Sequence, residues 1–564
     1  MYCSAVRIVT RRKYWTTKAP AIGAPAIGWL PRGGLSRTLP QVQTEPARGA
    51  TETPLSPTVF LERAARVFSD RVAIRDEGAS FTYGEFAERT ARLVRALECL
   101  GITPGERVAA LCTNSHVMLE LHHGVPMLGA VLVPLNLRLT ASDLAYMLDH
   151  CAASLLVATK ELAGLASEVA AASGVRLLLE ADYAEHLAAA VPAAWRTPEE
   201  HTLLAINYTS GSTGRPKGVM YNHRGAYLQA LAMAYHLGLG PDSNYLWTLP
   251  MFHCDGWCLT WAVTATGGTH HCLRQVDPAA SWSAIASGEI SHLSAAPTVL
   301  AMIAEAAGVA AAPPRRVRAT TGGAPPSPAL LSRLERLGLE VTHLYGLTES
   351  YGPAVVNTWQ ATWSARPPTE QAALNARQGI GNIVTGGVRV LDESGEEVPA
   401  DGATLGEIAL RGNNIMVGYY DDPEATAAAV RDGWLWTGDL GVLHPDGYVE
   451  LKDRAKDIII TGGENVASVE VERTLAEHPG VLECAVVAMV EETWGEVPVA
   501  FVTLREGAVA SEQELIDFAR ERLAHFKAPK AVYFGELPKT STGKVQKHVL
   551  RAHLAGPPAT AAER

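Results

Sequence analysis

The stretch Leu203-Leu-Ala-Ile-Asn-Tyr208 runs directly into Thr209-Ser-Gly-Ser-Thr-Gly-Arg-Pro-Lys-Gly218. Six residues that read as a buried strand are thus followed by the segment of the chain densest in glycine and hydroxyl groups. Ligands of α/β sheets gather at such carboxyl ends of strands. Small residues permit close backbone approach, consecutive amides can form an anion nest, and Lys217 adds a mobile positive charge, a set suited to phosphate. A Walker A loop needs Gly-Lys followed by Ser or Thr. Here Lys217 follows Pro216 and precedes Gly218, so this is no conventional P-loop. Composition alone leaves a plain surface loop as open as a phosphate site.

Outward from this junction, the apolar residues Val59, Leu61, Ala64, Ala65, Val67 and Phe68 share a helical face, so patterned structure begins near residue 55. Short β-rich runs at 72–74 and 108–111 alternate with helical runs at 83–100 and 141–150, which predicts an α/β architecture. Further strand-to-loop junctions follow at 246–253, 292–297, 317–323 and 341–346. After Gly379 the pattern changes to short strands at 388–391, 407–410 and 448–451 with a corner at 438–441, a smaller β-rich subdomain. It restarts with a strand at 457–460, a helix at 468–476, strands at 484–490 and 499–504, and a helix at 512–524. The expected organisation is a leader over 1–54, a large N-terminal α/β domain over 55–453, a tight hinge at 454–456 and a small mobile α+β domain over 457–564.

At 564 residues the chain exceeds what one hydrophobic core usually holds, and 47% hydrophobic residues suffice for several. A formal charge of −11 argues against a broad nucleic-acid surface while leaving room for a local basic groove. The eight cysteines are too sparse and irregular for a disulfide framework or a zinc cluster, and point to a reducing, cytoplasmic compartment. No apolar run approaches the roughly 18 residues of a membrane helix. The first 44 residues carry Arg7, Arg11, Arg12, Lys13, Lys18, Arg32 and Arg37 without an acidic residue. That composition suits a flexible tail and equally a targeting segment, which makes the mitochondrion the alternative location.

Three more motifs carry chemistry. In Tyr345-Gly-Leu-Thr-Glu-Ser350, Glu349 offers the hard oxygen that magnesium prefers, and Thr348 a phosphate donor. Trp436-Thr-Gly-Asp-Leu440 and Lys452-Asp-Arg454 would bring Asp439 and Arg454 together if the strands between them form a hairpin. In Lys539-Thr-Ser-Thr-Gly-Lys544 the glycine lets a loop insert Lys544 into a phosphate site. Taken alone, Asp439 and Arg454 are also readable as a turn aspartate and a surface ion pair, and the Lys544 segment reads more readily as a plain loop than as a functional one.

In this order, the motifs resemble the adenylate-forming superfamily of acyl-CoA synthetases, carrier-protein adenylation domains and beetle-type luciferases. The resemblance spans about residues 55 to 552 and includes 208–218, 251–257, 321–325, 345–350, 406–407, 436–440, 452–466 and 537–547. It implies that Thr209, Ser210, Gly211, Ser212, Thr213, Gly214 and Lys217 handle the ATP phosphates. It further implies that Gly322, Gly323, Ala324 and Pro325 line the adenine site beside Tyr345, that Thr348 and Glu349 organise phosphate and Mg2+, and that Asp439 and Arg454 hold the ribose. Lys544 would grip the attacking carboxylate and the α-phosphate. The C-terminal domain would then turn about Lys456 and present Gly462 and Gly463, with Trp494, to coenzyme A. Many relatives carry aspartate at that hinge position.

The same resemblance places the acid at His253, Cys254-Asp-Gly-Trp-Cys258, Ala295 and Gly322, with His253 a gate and not a base. It is nearest to short- and medium-chain acyl-activating enzymes and methylthiopropionate-CoA ligases, where asparagine is common in place of Asp255. Asp255 is expected to avoid the substrate carboxylate by facing solvent or a hydrogen-bonded surround. Trp257 and Trp261 favour a bounded pocket, or else belong to the core. The expected partners are a small carboxylic acid and free CoA, with no nucleic acid and no stable membrane insertion; a homodimer is an open assembly. Long-chain, aromatic or methylthio acids, and transfer to a carrier protein, are the alternatives.

Overall fold

The computed structural model describes residues 51–209, 215–308, 312–323, 326–454, 457–461, 464–491, 494–539 and 545–554. Leu203–Tyr208 is a strand, as its sequence predicts, and sits inside a seven-stranded sheet. It pairs parallel with Val131–Pro134, beyond which lie Arg107–Leu111, Ala153–Ala158 and Arg176–Leu179, and antiparallel with Gly218–Asn222 on its other side. Val131–Pro134 and most of Arg107–Leu111 are buried, and both read as unbroken apolar runs because neighbours cover both faces.

A second, nine-stranded sheet has a parallel centre of Val72–Asp76, Thr269–His271, Asn244–Leu246, His292–Ala295, Val317–Thr321 and Leu339–Leu347, in that spatial order. One continuous core joins Leu204 and Tyr221 of the first sheet to Ile74 and Trp247 of the second through helices Tyr83–Cys99, His116–Leu128 and Leu259–Thr266. Tyr83–Cys99 starts where it does because Thr82 and Glu85 close a capping box. The first helix, Thr58–Val67, buries Leu61 and Ala64 as expected, whereas Val67 is 58% exposed and Phe60 takes its place in the core.

The β-rich part consists of Gly387–Leu391, Gly406–Arg411, Trp434–Leu443, Val430–Arg431 and Val449–Arg454. The corner expected at 438–441 is instead the interior of the ten-residue strand Trp434–Leu443. There Gly438 takes φ +71°, and a register shift at Leu440/Gly441 bends the strand without ending it. The last part forms its own sheet from Ile459–Thr461, Glu464–Val466, Val481–Glu491, Gly495–Leu504 and Ala531–Phe534. Its apolar clusters draw only on residues from Ile459 onward, so it has a core of its own. Helix Ser468–Ala476 matches its expected bounds, while the helix begun at Glu512 ends at Arg520. Among the described residues, no helix is long and apolar enough to cross a membrane.

Candidate nucleotide and acid site

The antiparallel pairing of Tyr208 with Gly218 makes 209–217 the connection of a hairpin. Its neck is closed by Thr209 N donating to Lys217 O at 3.0 Å and by Lys217 N donating to Thr209 Oγ1 at 3.2 Å. Lys217 Nζ lies 4.9 Å from the ring centroid of Tyr419, whose hydroxyl donates to Glu349 Oε1 at 2.7 Å. The lysine of one motif and the carboxylate of another thus meet across a tyrosine that the sequence did not single out. Tyr419 arrives there because Gly418–Tyr419 adds an edge strand to Gly218–Asn222, a pairing across nearly 200 positions that leaves no local signal. Ser210, Gly211, Ser212, Thr213 and Gly214 lie outside the described residues.

Thr348–Ser350 forms a short turn after strand Leu339–Leu347. Thr348 O accepts from Tyr221 OH at 2.5 Å, and Tyr221 stacks on Tyr351 at 3.8 Å, which fixes the turn from below. Glu349 brings a carboxylate into this cluster, and the described residues contain no group of three ligating side chains that could hold a metal. That fits magnesium, which commonly takes one or two carboxylates and completes its shell with phosphate oxygens and water.

The hairpin expected between Asp439 and Arg454 is present, and these two residues are direct cross-strand partners. Arg454 Nε stands 3.2 Å from Asp439 Oδ1, while Tyr345 OH donates to Asp439 Oδ2 at 2.8 Å. Burial, together with the adjoining Asp439, pushes the Tyr345 hydroxyl well above its usual range, so it remains a donor. A carboxylate held from both sides is preorganised to accept paired hydroxyls. Gly322 ends strand Val317–Thr321 where a Cβ would meet Leu344 O at 2.8 Å, and Gly323 follows at φ +85°. Ala295, fully buried, pairs with Thr321 in the adjacent strand. Ala324 and Pro325 lie outside the described residues.

His253 opens a turn of unusual hand. Cys254, Asp255, Gly256, Trp257 and Cys258 all take φ between 46° and 60°, one left-handed turn that ends at helix Leu259–Thr266. For L-residues this costs about 1–2 kcal/mol each, so the surroundings must hold the turn in place. Trp257, 6% exposed, is wedged between two glycines: a Cβ would come within 3.3 Å of its ring at Gly322 and 2.9 Å at Gly352. Cys254 Sγ lies 3.7 Å from Thr348 Oγ1 and 3.8 Å from His253 Nε2, so the left-handed turn abuts the Thr348–Ser350 turn. Trp261 belongs to the core: it is fully buried and donates to His122 O at 3.0 Å.

Asp255 departs from expectation. It faces neither solvent nor a hydrogen-bonded surround; it is fully buried and neither carboxyl oxygen has a hydrogen-bond partner among the described residues. Burial pushes its pKa up to about 7, an effect that the neighbouring Asn207 amide only partly opposes.

In the C-terminal part, Thr461 pairs with both Glu464 and Gly495, and Trp494 stands 53% exposed beside that pairing. Lys456, Gly462, Gly463 and Lys544 lie outside the described residues. The flanks of the last are tied down: Lys539 bridges to Val545 and pairs with Glu483 at 2.6 Å, and Lys547 Nζ contacts Glu472 at 2.8 Å and Ser468 Oγ at 2.5 Å. Ser468 in turn donates to Asp453, the residue before Arg454.

The family described as AMP-binding enzyme matches residues 61–420, and that described as AMP-binding enzyme C-terminal domain matches 470–544. An acetate–CoA ligase of Humulus lupulus is 42% identical over 549 residues, covering 90% of this chain and 96% of the relative. A peroxisomal acetate/butyrate–CoA ligase of Arabidopsis thaliana is 42% identical over 539 residues, covering 89% and 95%. The crystal structure of ATP-bound MatB from Rhodopseudomonas palustris, 28% identical, superposes with a TM-score of 0.78 over 88% of this chain and 99% of that one. With its motifs in order and these matches along most of its length, the chain belongs to the AMP-binding enzyme family of adenylate-forming proteins.

Proposed function

We propose that this protein is an ATP-dependent acyl-CoA synthetase that converts a short- to medium-chain carboxylic acid, ATP and CoA into acyl-CoA, AMP and pyrophosphate. The observation that carries this reading is the convergence of three separated motifs: Lys217 reaches Glu349 through Tyr419, and Asp439 is clamped between Tyr345 and Arg454. A cation for phosphates and a preorganised carboxylate for ribose hydroxyls are what an adenylating site requires.

In the first step an oxygen of the ionised acid attacks the α-phosphorus, the bond to the β-phosphate oxygen breaks, and pyrophosphate leaves. Lys217, Thr209 and residues 210–214 hold the phosphates, while Lys544 lets one anion approach another by neutralising charge in a water-poor site. Glu349 would hold magnesium, which when bound would supply further charge neutralisation on the phosphates. No protein nucleophile is needed. In the second step the CoA sulfur attacks the acyl carbon, AMP departs, and the thiol proton passes to solvent. Lys456 is the pivot between the steps, with Gly462, Gly463 and Trp494 receiving CoA. His253 gates the acid, and Trp257 with Ala295 bounds its pocket. The corresponding domain division is 55–453, 454–456 and 457–564. The seven cysteines among the described residues all carry free thiols, which fits a reducing, cytoplasmic setting; localising fusions with and without residues 1–54 would test that setting against the mitochondrion.

The test is acid-dependent release of pyrophosphate and AMP with free CoA, across linear acids of two to sixteen carbons. The reading expects highest kcat/KM at short to medium length and a large rise in the KM for ATP in Asp439→Ala. Turnover that ignores free CoA and needs a carrier protein would replace it, as would a preference for the sixteen-carbon acid.

A further inference from the structure

One polar pair beside this site has no part in adenylation. Asp255 turns a carboxyl inward from the left-handed turn, with neither Oδ1 nor Oδ2 bonded within the described protein. Asn207, near the end of strand Leu203–Tyr208 and 2% exposed, accepts from Asp255 N through its Oδ1 at 3.1 Å. Its Nδ2 donor is likewise without a partner. That backbone-to-amide bond ties the two residues; the Asn207 amide lies close enough to oppose the raised pKa of Asp255 but makes no direct bond to either carboxyl oxygen, so donor and acceptors stand near one another, shielded from water. Interiors rarely keep such groups unmet, and each that remains needs a partner or a role.

The polar neighbours are already committed. Tyr221 OH donates to Thr348 O, and Tyr351 OH accepts from Asn222 N at 2.7 Å. The Cys254 thiol faces Thr348 Oγ1, and the Cys258 thiol faces Tyr351 O at 3.9 Å. Gly256 is closed off by Trp247, whose ring would sit 2.9 Å from a Cβ there. What remains is the pair of carboxyl oxygens on Asp255 and the Nδ2 donor of Asn207. A hydroxyl meets both, donating its hydrogen to Asp255 and accepting from Asn207 Nδ2. A methyl group would meet neither, an ammonium only the carboxylate, and a second carboxylate would be repelled.

We propose that Asp255 and Asn207 form a hydroxyl-recognition niche in the wall of the acid site, so that the enzyme selects short carboxylic acids bearing an alcohol over unsubstituted acids of equal carbon number. This rests on the acyl-CoA synthetase reading and on 254–258 as the wall of the acid site. A site built to hydrogen-bond a substrate hydroxyl discriminates strongly against the analogue lacking it, because its buried groups are then left unpaired.

The experiment compares kcat/KM for AMP formation with propanoate, butanoate and pentanoate and with their 2-, 3- and 4-hydroxy derivatives where these exist. At least one hydroxy acid is expected to exceed its unsubstituted partner by about tenfold or more in the wild type. Asp255→Leu should collapse that ratio towards one, and Asp255→Asn, closer in shape and safer for folding, should lower it by removing the charged acceptor. A purely structural Asp255 would depress both substrates in proportion and leave the ratio unmoved, which would overturn the proposal. A wild type that turns over unsubstituted acids and favours no hydroxy acid would also overturn it while leaving the synthetase reading intact. AMP formation with neither class of acid would instead remove the reading on which the proposal stands.

Discussion

Asp76, at the end of strand Val72–Asp76, and Asp255, in the left-handed turn, are both shielded from water, at 3% and 0% exposure. At Asp76, burial pushes the carboxyl pKa up, but the bonds it accepts outweigh that and hold it well below the usual carboxylate range. His116 donates to it from the backbone at 3.1 Å and meets it with Nδ1 at 2.6 Å, and Arg274 donates to both its oxygens at 3.0 and 2.9 Å. Asp255 has nothing comparable, and burial lifts it to about 7. Depth therefore does not decide whether a buried aspartate is charged; partners do. The first carboxylate is spent on holding the fold, and the second is left uncommitted at the candidate acid site.

The strongest way to break this comparison is to remove the shared partner. Arg274, with its side chain 8% exposed, also reaches Glu180 at 2.9 Å and Glu161 at 3.0 Å. Arg274→Met would leave these acids facing one another with one cation gone, at an expected cost of about 3–5 kcal/mol. Denaturant unfolding at pH 7 followed by tryptophan fluorescence would read it. A loss below about 1 kcal/mol would mean that His116, not Arg274, keeps Asp76 ionised.

An effect of opposite sign is expected at the other aspartate. The folded pKa of Asp255 lies above its ordinary value of 3.8, so between roughly pH 4 and pH 7 the folded state binds more protons than the unfolded. Stability from this group is complete below about pH 4, falls as pH rises to about 7, and is level above. Burial pushes Cys254, Cys258, Tyr221 and Tyr351 upward, so these neighbours stay neutral throughout that window. Asp255→Asn cannot ionise. It should be the more stable protein at pH 8, by up to about 4 kcal/mol, with the advantage vanishing near pH 4. Unfolding midpoints of both proteins from pH 4.5 to 8.5 would show this. A difference that does not vary with pH, or a less stable variant at pH 8, would mean that Asp255 is ionised and paired after all.

These two sites also mark how far the sequence could be read. Strands such as Leu203–Tyr208 and the Asp439–Arg454 hairpin were legible because apolar runs and turn spacing are local signals. Lys217, Glu349 and Tyr345 were legible as chemistry because each stands in a run of glycine or hydroxyl residues beside an apolar one. Tyr419 was not, since its role comes from an edge pairing with residues far away in the chain. The left-handed turn escaped as well. Only Gly256 among its five residues is indifferent to hand, and the rest are held there by packing that no local pattern encodes. Because the turn was not foreseen, neither was the direction of Asp255.

The smallest expected effect sharpens the comparison from the solvent side. Lys160 Nζ pairs with Glu77 at 2.6 Å and lies 3.9 Å from Glu161, two acids that Arg274 also approaches, at 3.5 and 3.0 Å. The two cations share the same acids and differ in surroundings, for the Lys160 side chain is 61% exposed. Water already solvates that ammonium and its partners, salt screens the pair, and holding two long side chains together costs conformational entropy. Lys160→Gln should therefore leave the unfolding midpoint within error of the wild type at physiological salt, and the difference should grow only slightly when salt is lowered. If instead Lys160→Gln lost as much stability as Arg274→Met, the acids and both cations would be acting as one cooperative unit. The contrast between Asp76 and Asp255 would then measure membership in a charge network and not the presence of a buried partner.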